Sequence, residues 1–98
     1  MRLSFNRLVP KELRSALTHY HNAVGPHLAQ RFYDEFEEPI AAIPRNPKRF
    51  HHLPDSGYLR ANFPTFPYHL LFRETTEGIR VHVLRPHRRH PGYGLGRD

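Results

Sequence analysis

The sequence predicts an α+β fold in a single domain, with two helices covering one face of an antiparallel sheet. Two observations support this: apolar residues recur at helical spacing in the first half of the chain, and nearly every second position is apolar in the last third. The expected order is β-α-α-β-β-β: a short N-terminal strand, an antiparallel helix hairpin and a three-stranded antiparallel meander. The 98 residues suffice for one core, so we expect one domain over residues 1–98.

The N-terminal region is predicted to form a short strand followed by a helix. Residues 2–5 alternate in the manner of a strand. The helix could begin after Asn6 as its N-cap, or Pro10 could mark its first turn. The pattern then predicts an amphipathic helix to about Asn22, because apolar residues recur at Val9, Leu13, Ala16, Leu17 and Tyr20.

A second helical pattern begins after Gly25 and Pro26, which end the first helix. Its apolar stripe consists of Leu28, Phe32, Phe36, Ile40 and Ile43. Pro39 lies inside the pattern and lacks a backbone donor, so we expect a kink or a break there. Acidic residues fall mostly off the stripe and indicate a solvated helix face: Asp34, Glu35, Glu37 and Glu38.

The last third predicts strands at residues 58–63, 67–74 and 78–84, after a loop at 44–57 and with a turn at 75–78. The apolar phase comprises Leu59, Ala61, Phe63, Tyr68, Leu70, Phe72, Ile79, Val81 and Val83. The opposite phase is mainly basic or polar, with two apolar exceptions: Arg60, Asn62, His69, Leu71, Arg73, Arg80, His82 and Leu84. One face of the sheet is therefore predicted to be core, and the other to be a surface for an anionic partner.

Charge is distributed unevenly along the chain, which carries a formal net charge of +6. Residues 79–98 contain five arginines and three histidines but one carboxylate. The planar guanidinium group suits phosphates and carboxylates, so a nucleic acid or an acidic protein could bind there, although a basic solvated surface would look the same. The tail at residues 92–98 holds three glycines and is expected to be mobile.

Several classes of protein are disfavoured by composition. The chain has no cysteine, which excludes disulfides and thiolate zinc sites. Its nine histidines do not fall at metal-ligand spacing with carboxylates, so we expect no metal and no cofactor. No stretch approaches the roughly 18 apolar residues of a membrane span, and we expect a cytoplasmic protein with no membrane partner.

A set of short motifs resembles the RelE/ParE family of type II toxins. The motifs are Ile43-Pro44 and Pro47-x-x-Phe50 after the helix hairpin, Arg60, Phe66-Pro67-Tyr68-His69-Leu70-Leu71-Phe72-Arg73, and Arg88-Arg89-His90-Pro91-Gly92-Tyr93 with Arg97. The resemblance implies a toxin neutralised in a hetero-oligomer by a cognate antitoxin whose C-terminal segment wraps it. Family members either cut ribosome-bound mRNA or poison DNA gyrase.

Two departures from the family pattern affect the choice of target. Pro86 stands where the family often has histidine, and Gly94 stands where tryptophan often follows the tyrosine. These departures favour a growth inhibitor that acts by binding, with DNA gyrase as the target implied by the resemblance. The alternatives are a metal-independent mRNA endoribonuclease and a non-toxic partner-binding module of the same fold.

The candidate site residues depend on which hypothesis holds. Cleavage of RNA by its 2′-hydroxyl needs a base, an acid and cations for the phosphorane. His87 or His90 would then be the acid or base, with Tyr93 as an alternative acid or as a stacking platform. The candidates for binding a nucleic acid or protein target are Arg60, His69, Arg73, Arg80, Arg88 and Arg89. Alternatively, Arg60 and Arg89 hold the terminal segment on the sheet and the imidazoles are solvated.

Overall fold

A helix hairpin packs on one face of a five-stranded sheet in the computed structural model, which describes residues 2–98. The elements are β1 (Leu3–Phe5), α1 (Val9–Ala23), α2 (Pro26–Ala42), β2 (His51–His52), β3 (Leu59–Asn62), β4 (Tyr68–Thr75) and β5 (Gly78–Pro86). The sheet order is β1-β5-β4-β3-β2. The predicted antiparallel meander is β3-β4-β5, whereas β1 runs parallel to β5, so the sheet is mixed. The α+β prediction is thus confirmed.

The helices begin and end close to the predicted positions. Pro10 lies in the first turn of α1, whose N-cap is Leu8. Asn6 accepts a hydrogen bond on Oδ1 from the Leu8 amide at 3.0 Å, so it forms a turn ahead of the helix rather than capping it. The helix α2 continues through Pro39 without a break, contrary to one of the two expectations for that residue. Pro39 is itself buried on the core side of α2, and this packing offsets the missing backbone hydrogen bond.

The main core lies between the helices and the sheet. Its fully buried large side chains include Phe32, Phe72, Leu70 and Val81. Tyr20 and Phe66 meet edge to face with their ring centroids 4.9 Å apart. The further members are Val9, Ala16, Phe36, Ile43, Leu59, Ala61, Phe63, Ile79 and Leu84. The predicted apolar phase of β3, of β4 and of the first half of β5 therefore faces the helices.

The end of β5 departs from the predicted phase. Phe72 is opposite Val81, but the preceding residue Leu71 is opposite Val83, so β5 contains one extra residue, His82, at a β-bulge. The bulge moves Val83 to the face opposite the helices and brings Leu84 into the main core. Val83 was predicted to lie in the core and Leu84 on the opposite face, and both predictions were wrong because of the bulge.

The region predicted as a loop at 44–57 contains some regular structure. Pro47–Arg49 form a 3₁₀ turn, and the two exposed residues of β2 pair antiparallel with β3. His51 lies opposite Arg60. A two-residue strand is too short to show an alternating pattern, which is why the prediction for His51 and His52 was wrong.

Candidate functional site

The sheet face opposite the helices, called here the second face, is partly covered by the chain's own C-terminal segment, residues 87–98. Tyr58, Leu71 and Val83 form a buried apolar cluster on this face, and Tyr93 and Leu95 of the segment pack against it. The second face is therefore less open than the sequence predicts, and His69 and His82 are buried in it. The expectation of a mobile tail is also wrong, because the tail is packed on the sheet.

Arg85 holds the C-terminal segment in place. Its Nη1 donates hydrogen bonds to the carbonyl oxygens of Pro91 and Tyr93, at 2.7 and 2.8 Å. Arg85 is 4% exposed, and burial with the nearby Arg60 lowers the pKa of its guanidinium. Arginine remains a cation nonetheless. Arg85 was not among the predicted site residues, because without the bulge its side chain would point to the helices.

Glu12 on α1 is the second anchor of the segment. Its carboxylate accepts two hydrogen bonds from the Arg97 guanidinium, at 3.0 and 2.8 Å, and one from the Tyr93 hydroxyl at 2.8 Å. It also accepts from the Leu84 amide at 3.1 Å, where β5 extends beyond its pairing with β1. The Glu12 and Arg97 side chains are 11% and 13% exposed. Glu12 thus contacts residues that lie 72 to 85 positions later in the sequence.

A chain of hydrogen bonds, called here the imidazole cluster, joins Arg85, His69, His87 and Arg60. The Arg85 Nε–H donates to His69 Nε2 at 2.9 Å. Since arginine can only donate, neutral His69 carries its proton on Nδ1. That proton is donated to His87 Nδ1 at 2.9 Å, and Arg60 Nη2 donates to the same atom at 3.1 Å.

Electrostatics keep both imidazoles of this cluster neutral. Burial, and then the positive charges of Arg60 and Arg85, lower the pKa of His69 to about 3. Burial and Arg60 likewise lower the pKa of His87, although His87 is more exposed. With its Nδ1 accepting two donors, neutral His87 carries its proton on Nε2, which is the tautomer that the network requires.

The remaining predicted site residues lie in two different places. Arg88, Arg89 and His90 are exposed at the start of the C-terminal segment. Arg89 stacks over the Tyr93 ring at 4.0 Å, and His90 Nδ1 accepts from the Gly92 amide at 3.0 Å. Arg73 on β4 lies opposite Arg80 on β5. Arg73 is four residues after His69 on the same strand, which is roughly 13 Å at 3.3 Å per residue. The structure therefore does not bring all the predicted cations together.

Gly94 is required by the packing of the C-terminal segment. Its φ is +82°, and an added Cβ would lie 2.6 Å from Cγ2 of Val83. A tryptophan, as the resemblance would have at this position, could not adopt this backbone against Val83. Gly96 has a similar φ of +85°, but an added Cβ there meets no atom of the described residues within 4 Å.

We expect Gly94→Ala to destabilise the protein by about 1 to 3 kcal/mol more than Gly96→Ala, as measured by urea unfolding. Both substitutions place a side chain at positive φ, whereas the overpacking against Val83 is specific to Gly94. Equal losses from the two variants would show that the segment does not pack on Val83.

The geometry defines a class of protein: a small α+β domain with a helix hairpin on a mixed sheet and a cationic C-terminal segment. Its fold is similar to that of a chain in the solved structure of the chromosomal ParDE TA (toxin–antitoxin) system from P. aeruginosa, with a TM-score of 0.75. The match covers 88% of this chain and 95% of that chain at 18% identity, a level at which it describes the fold. This neighbour agrees with the resemblance stated above. No protein-family model and no curated protein matches the sequence.

Two further features concern residues 2–98 only. Within them, no three or more histidine, aspartate or glutamate side chains are grouped so that they could hold a metal ion. None of the helices in this range has the length and apolar character needed to cross a membrane.

Proposed function

We propose that this protein is the toxin component of a type II toxin–antitoxin system, and that it inhibits growth by binding its target, DNA gyrase, rather than by cutting RNA. The fold shared with a ParDE chain supports the toxin–antitoxin assignment. The observation that carries the choice of binding over catalysis is the imidazole cluster, in which two donors occupy His87 Nδ1.

The imidazole cluster leaves His87 poorly suited to acid–base catalysis. A general base must take up a proton, but Nε2 already carries one in this tautomer, and Nδ1 faces the Arg60 and His69 donors. A general acid must release a proton readily, which an imidazolium does near neutral pH and a neutral imidazole does not. The lowered pKa of His87 means that the imidazolium is scarce at pH 7.

The other two candidate catalytic groups are also engaged within the protein. The Tyr93 hydroxyl donates a hydrogen bond to Glu12, and the Arg89 and Arg97 guanidinium groups lie 4.0 and 5.1 Å from its ring centroid. His90 Nδ1 accepts from a backbone amide. These contacts lie within the C-terminal segment or between it and α1.

The target would instead be bound by exposed charge. Arg88 and Arg89 project from the start of the segment, and neither forms an ion pair within 4.0 Å among the described residues. Adjacent guanidinium groups can each bind a carboxylate or a phosphate through bidentate hydrogen bonds. Arg85 and Glu12 hold the segment on the sheet and on α1 through Pro91, Tyr93 and Arg97.

The proposed antitoxin is an acidic, partly helical segment that folds on binding. A groove of about 450 Å³ runs between α1 and the end of β5, and Leu8, Ala16 and Leu84 supply its apolar lining. Lys11 and Arg89 lie along the same groove, and Glu12 in it is neutralised by Arg97. Apolar area flanked by unpaired cations suits an amphipathic acidic helix.

The function is tested by expressing variants in cells and assaying the purified proteins. We expect wild type to stop growth and to trap gyrase on cut DNA, and to leave mRNA intact in a translating extract. His87→Ala and Tyr93→Phe should retain most of this toxicity. The double variant Arg88→Ala/Arg89→Ala should lose it, whereas Arg14→Ala/Arg45→Ala, which removes two exposed charges elsewhere, should remain toxic.

Other outcomes would contradict the proposal in distinct ways. Cleavage of mRNA that falls at least about a hundredfold in His87→Ala or Tyr93→Phe would identify an endoribonuclease. Harmless expression together with recovery of an acidic partner encoded by the neighbouring reading frame would identify a non-toxic binding module. Harmless expression with no partner would exclude the toxin–antitoxin assignment.

A further inference from the structure

A second cationic site lies at the far end of the second face, beside the β4–β5 turn. It is a hollow of about 490 Å³, called here the arginine hollow. Its lining includes Arg2, Ser4, Arg73, Thr75, Arg80 and His82. Along the strands it is roughly 13 Å from His69, and it shares no residue with the imidazole cluster.

Three arginines of the hollow, Arg2, Arg73 and Arg80, form no ion pair with a carboxylate side chain within 4.0 Å among the described residues. Arg97, which also lines it, is paired with Glu12, and this is the single ion pair within 4.0 Å among residues 2–98. Glu77 and Asp98 lie at the hollow without approaching an arginine to that distance. Arg80 Nε donates to the main-chain oxygen of Asp98 at 3.2 Å. Among the side chains, the four arginines of the lining exceed Glu77, Asp98 and the Glu12 partner of Arg97 by one positive charge.

Arg73 and Arg80 are direct cross-strand neighbours. Like charges opposite each other in an antiparallel pair repel and destabilise the sheet. Arg73 lies over the Tyr58 ring at 4.1 Å, and its Nε is buried with no hydrogen-bond partner among the described residues. A bound anion would offset the repulsion between the two guanidinium groups.

His82 forms the inner wall of the hollow. It is 4% exposed, and both its ring nitrogens lack a hydrogen-bond partner among residues 2–98. Burial, and then Arg73, lower the pKa of His82, so its imidazole is neutral and offers one donor and one acceptor. Buried polar groups in proteins are nearly always paired, so an imidazole with two unpaired nitrogens in the lining of the hollow points to a hydrogen-bonding ligand there.

We propose that the arginine hollow binds a phosphate group, held by the Arg73 and Arg80 guanidinium groups with Arg2 at its edge. The Arg73 and Arg80 guanidinium groups offer neighbouring N–H donors, which suit the several oxygens of a phosphate, and Ser4 adds a hydroxyl that forms no side-chain hydrogen bond among the described residues. Ile79 is the one apolar residue of the lining, so the hollow offers little contact area to an acidic peptide. The proposal does not depend on the toxin assignment.

The test is a calorimetric titration of the full chain with inorganic phosphate, at constant ionic strength set with chloride. We expect saturable binding, weakened at least tenfold in Arg73→Gln/Arg80→Gln. The control Arg14→Gln/Arg45→Gln, which removes the same charge elsewhere, should bind as wild type does. Arg2→Gln should weaken phosphate binding severalfold. Because Arg2 takes part in no residue pair between β4 and β5, this variant replaces the double variant as the test if the double variant fails to fold.

Further titrations with a short single-stranded oligonucleotide and with a glutamate-rich peptide identify the source of the ligand. Tighter binding of the oligonucleotide, lost in the double variant, would mean that the hollow contacts a nucleic-acid backbone; binding of phosphate alone would mean a small phosphorylated ligand. The proposal fails if phosphate binding does not saturate, if the double variant binds as well as its control, or if the peptide binds more tightly than either phosphate ligand.

Discussion

Phe72→Ala should lower the free energy of unfolding of the 98-residue domain by about 3 to 5 kcal/mol. Phe72 is fully buried at the centre of the sheet, on the face covered by the helices, and its ring meets Phe50 edge to face at 5.5 Å. Truncation would leave a cavity that the two packed layers cannot close. Since a domain of this size is stable by roughly 5 to 15 kcal/mol, the loss is a large share of the total.

The matched control is Arg80→Ala, on the opposite face of the neighbouring strand. Arg80 is partly exposed, makes one hydrogen bond to a carbonyl oxygen, and opposes Arg73. Its removal should leave the free energy of unfolding nearly unchanged. Urea titrations at pH 7 compare the two variants, and equal losses would mean that the assigned strand phase is wrong.

The second large effect is a loss of stability in acid that depends on His69. In the folded protein its pKa is about 3, against an ordinary value of 6.5. Between these values the unfolded chain binds a proton that the folded protein excludes, so stability falls as pH falls from about 6.5 towards 3. At pH 4 this group alone accounts for a loss of roughly 3 kcal/mol relative to pH 7.

His69→Gln is the variant that isolates this effect. A glutamine amide offers an oxygen to Arg85 and an N–H group for His87 but takes up no proton in this range. We expect wild type to lose roughly 3 kcal/mol more than His69→Gln between pH 7 and pH 4 in urea titrations. Titration of the carboxylates and of His82 affects both proteins and cancels in the comparison. Parallel pH profiles would show that folding does not hold His69 neutral.

Periodicity in the sequence was sufficient to predict the α+β class, the helix hairpin and the meander. Apolar spacing is a local property, and one face of a strand or helix must be apolar wherever a core forms. The burial of four core residues could therefore be predicted from this spacing alone: Phe32, Leu70, Phe72 and Val81. The concentration of arginine and histidine after residue 79 was equally visible. The fold of a ParDE chain agrees with the resemblance that these patterns carried.

Features that depend on pairing between distant residues could not be predicted. The bulge at His82 arises from the register between β4 and β5, and it decides that Val83 rather than Leu84 faces away from the helices. A single extra residue reverses the side-chain direction of everything after it, and no local pattern records it.

The character of the second face was also decided by tertiary structure. Its histidines looked solvated in sequence because their strand neighbours are basic, but the C-terminal segment covers them through Arg85 and through Glu12, which lies on α1. Burial beside fixed cations then determines that His69 is neutral and which nitrogen of each imidazole carries the proton. The sequence by itself determined which charges are present. Only the packing of the segment decided which of these charges are paired inside the protein and which remain for a partner. The reason is that desolvation and hydrogen-bond geometry depend on neighbours that are far apart in the chain.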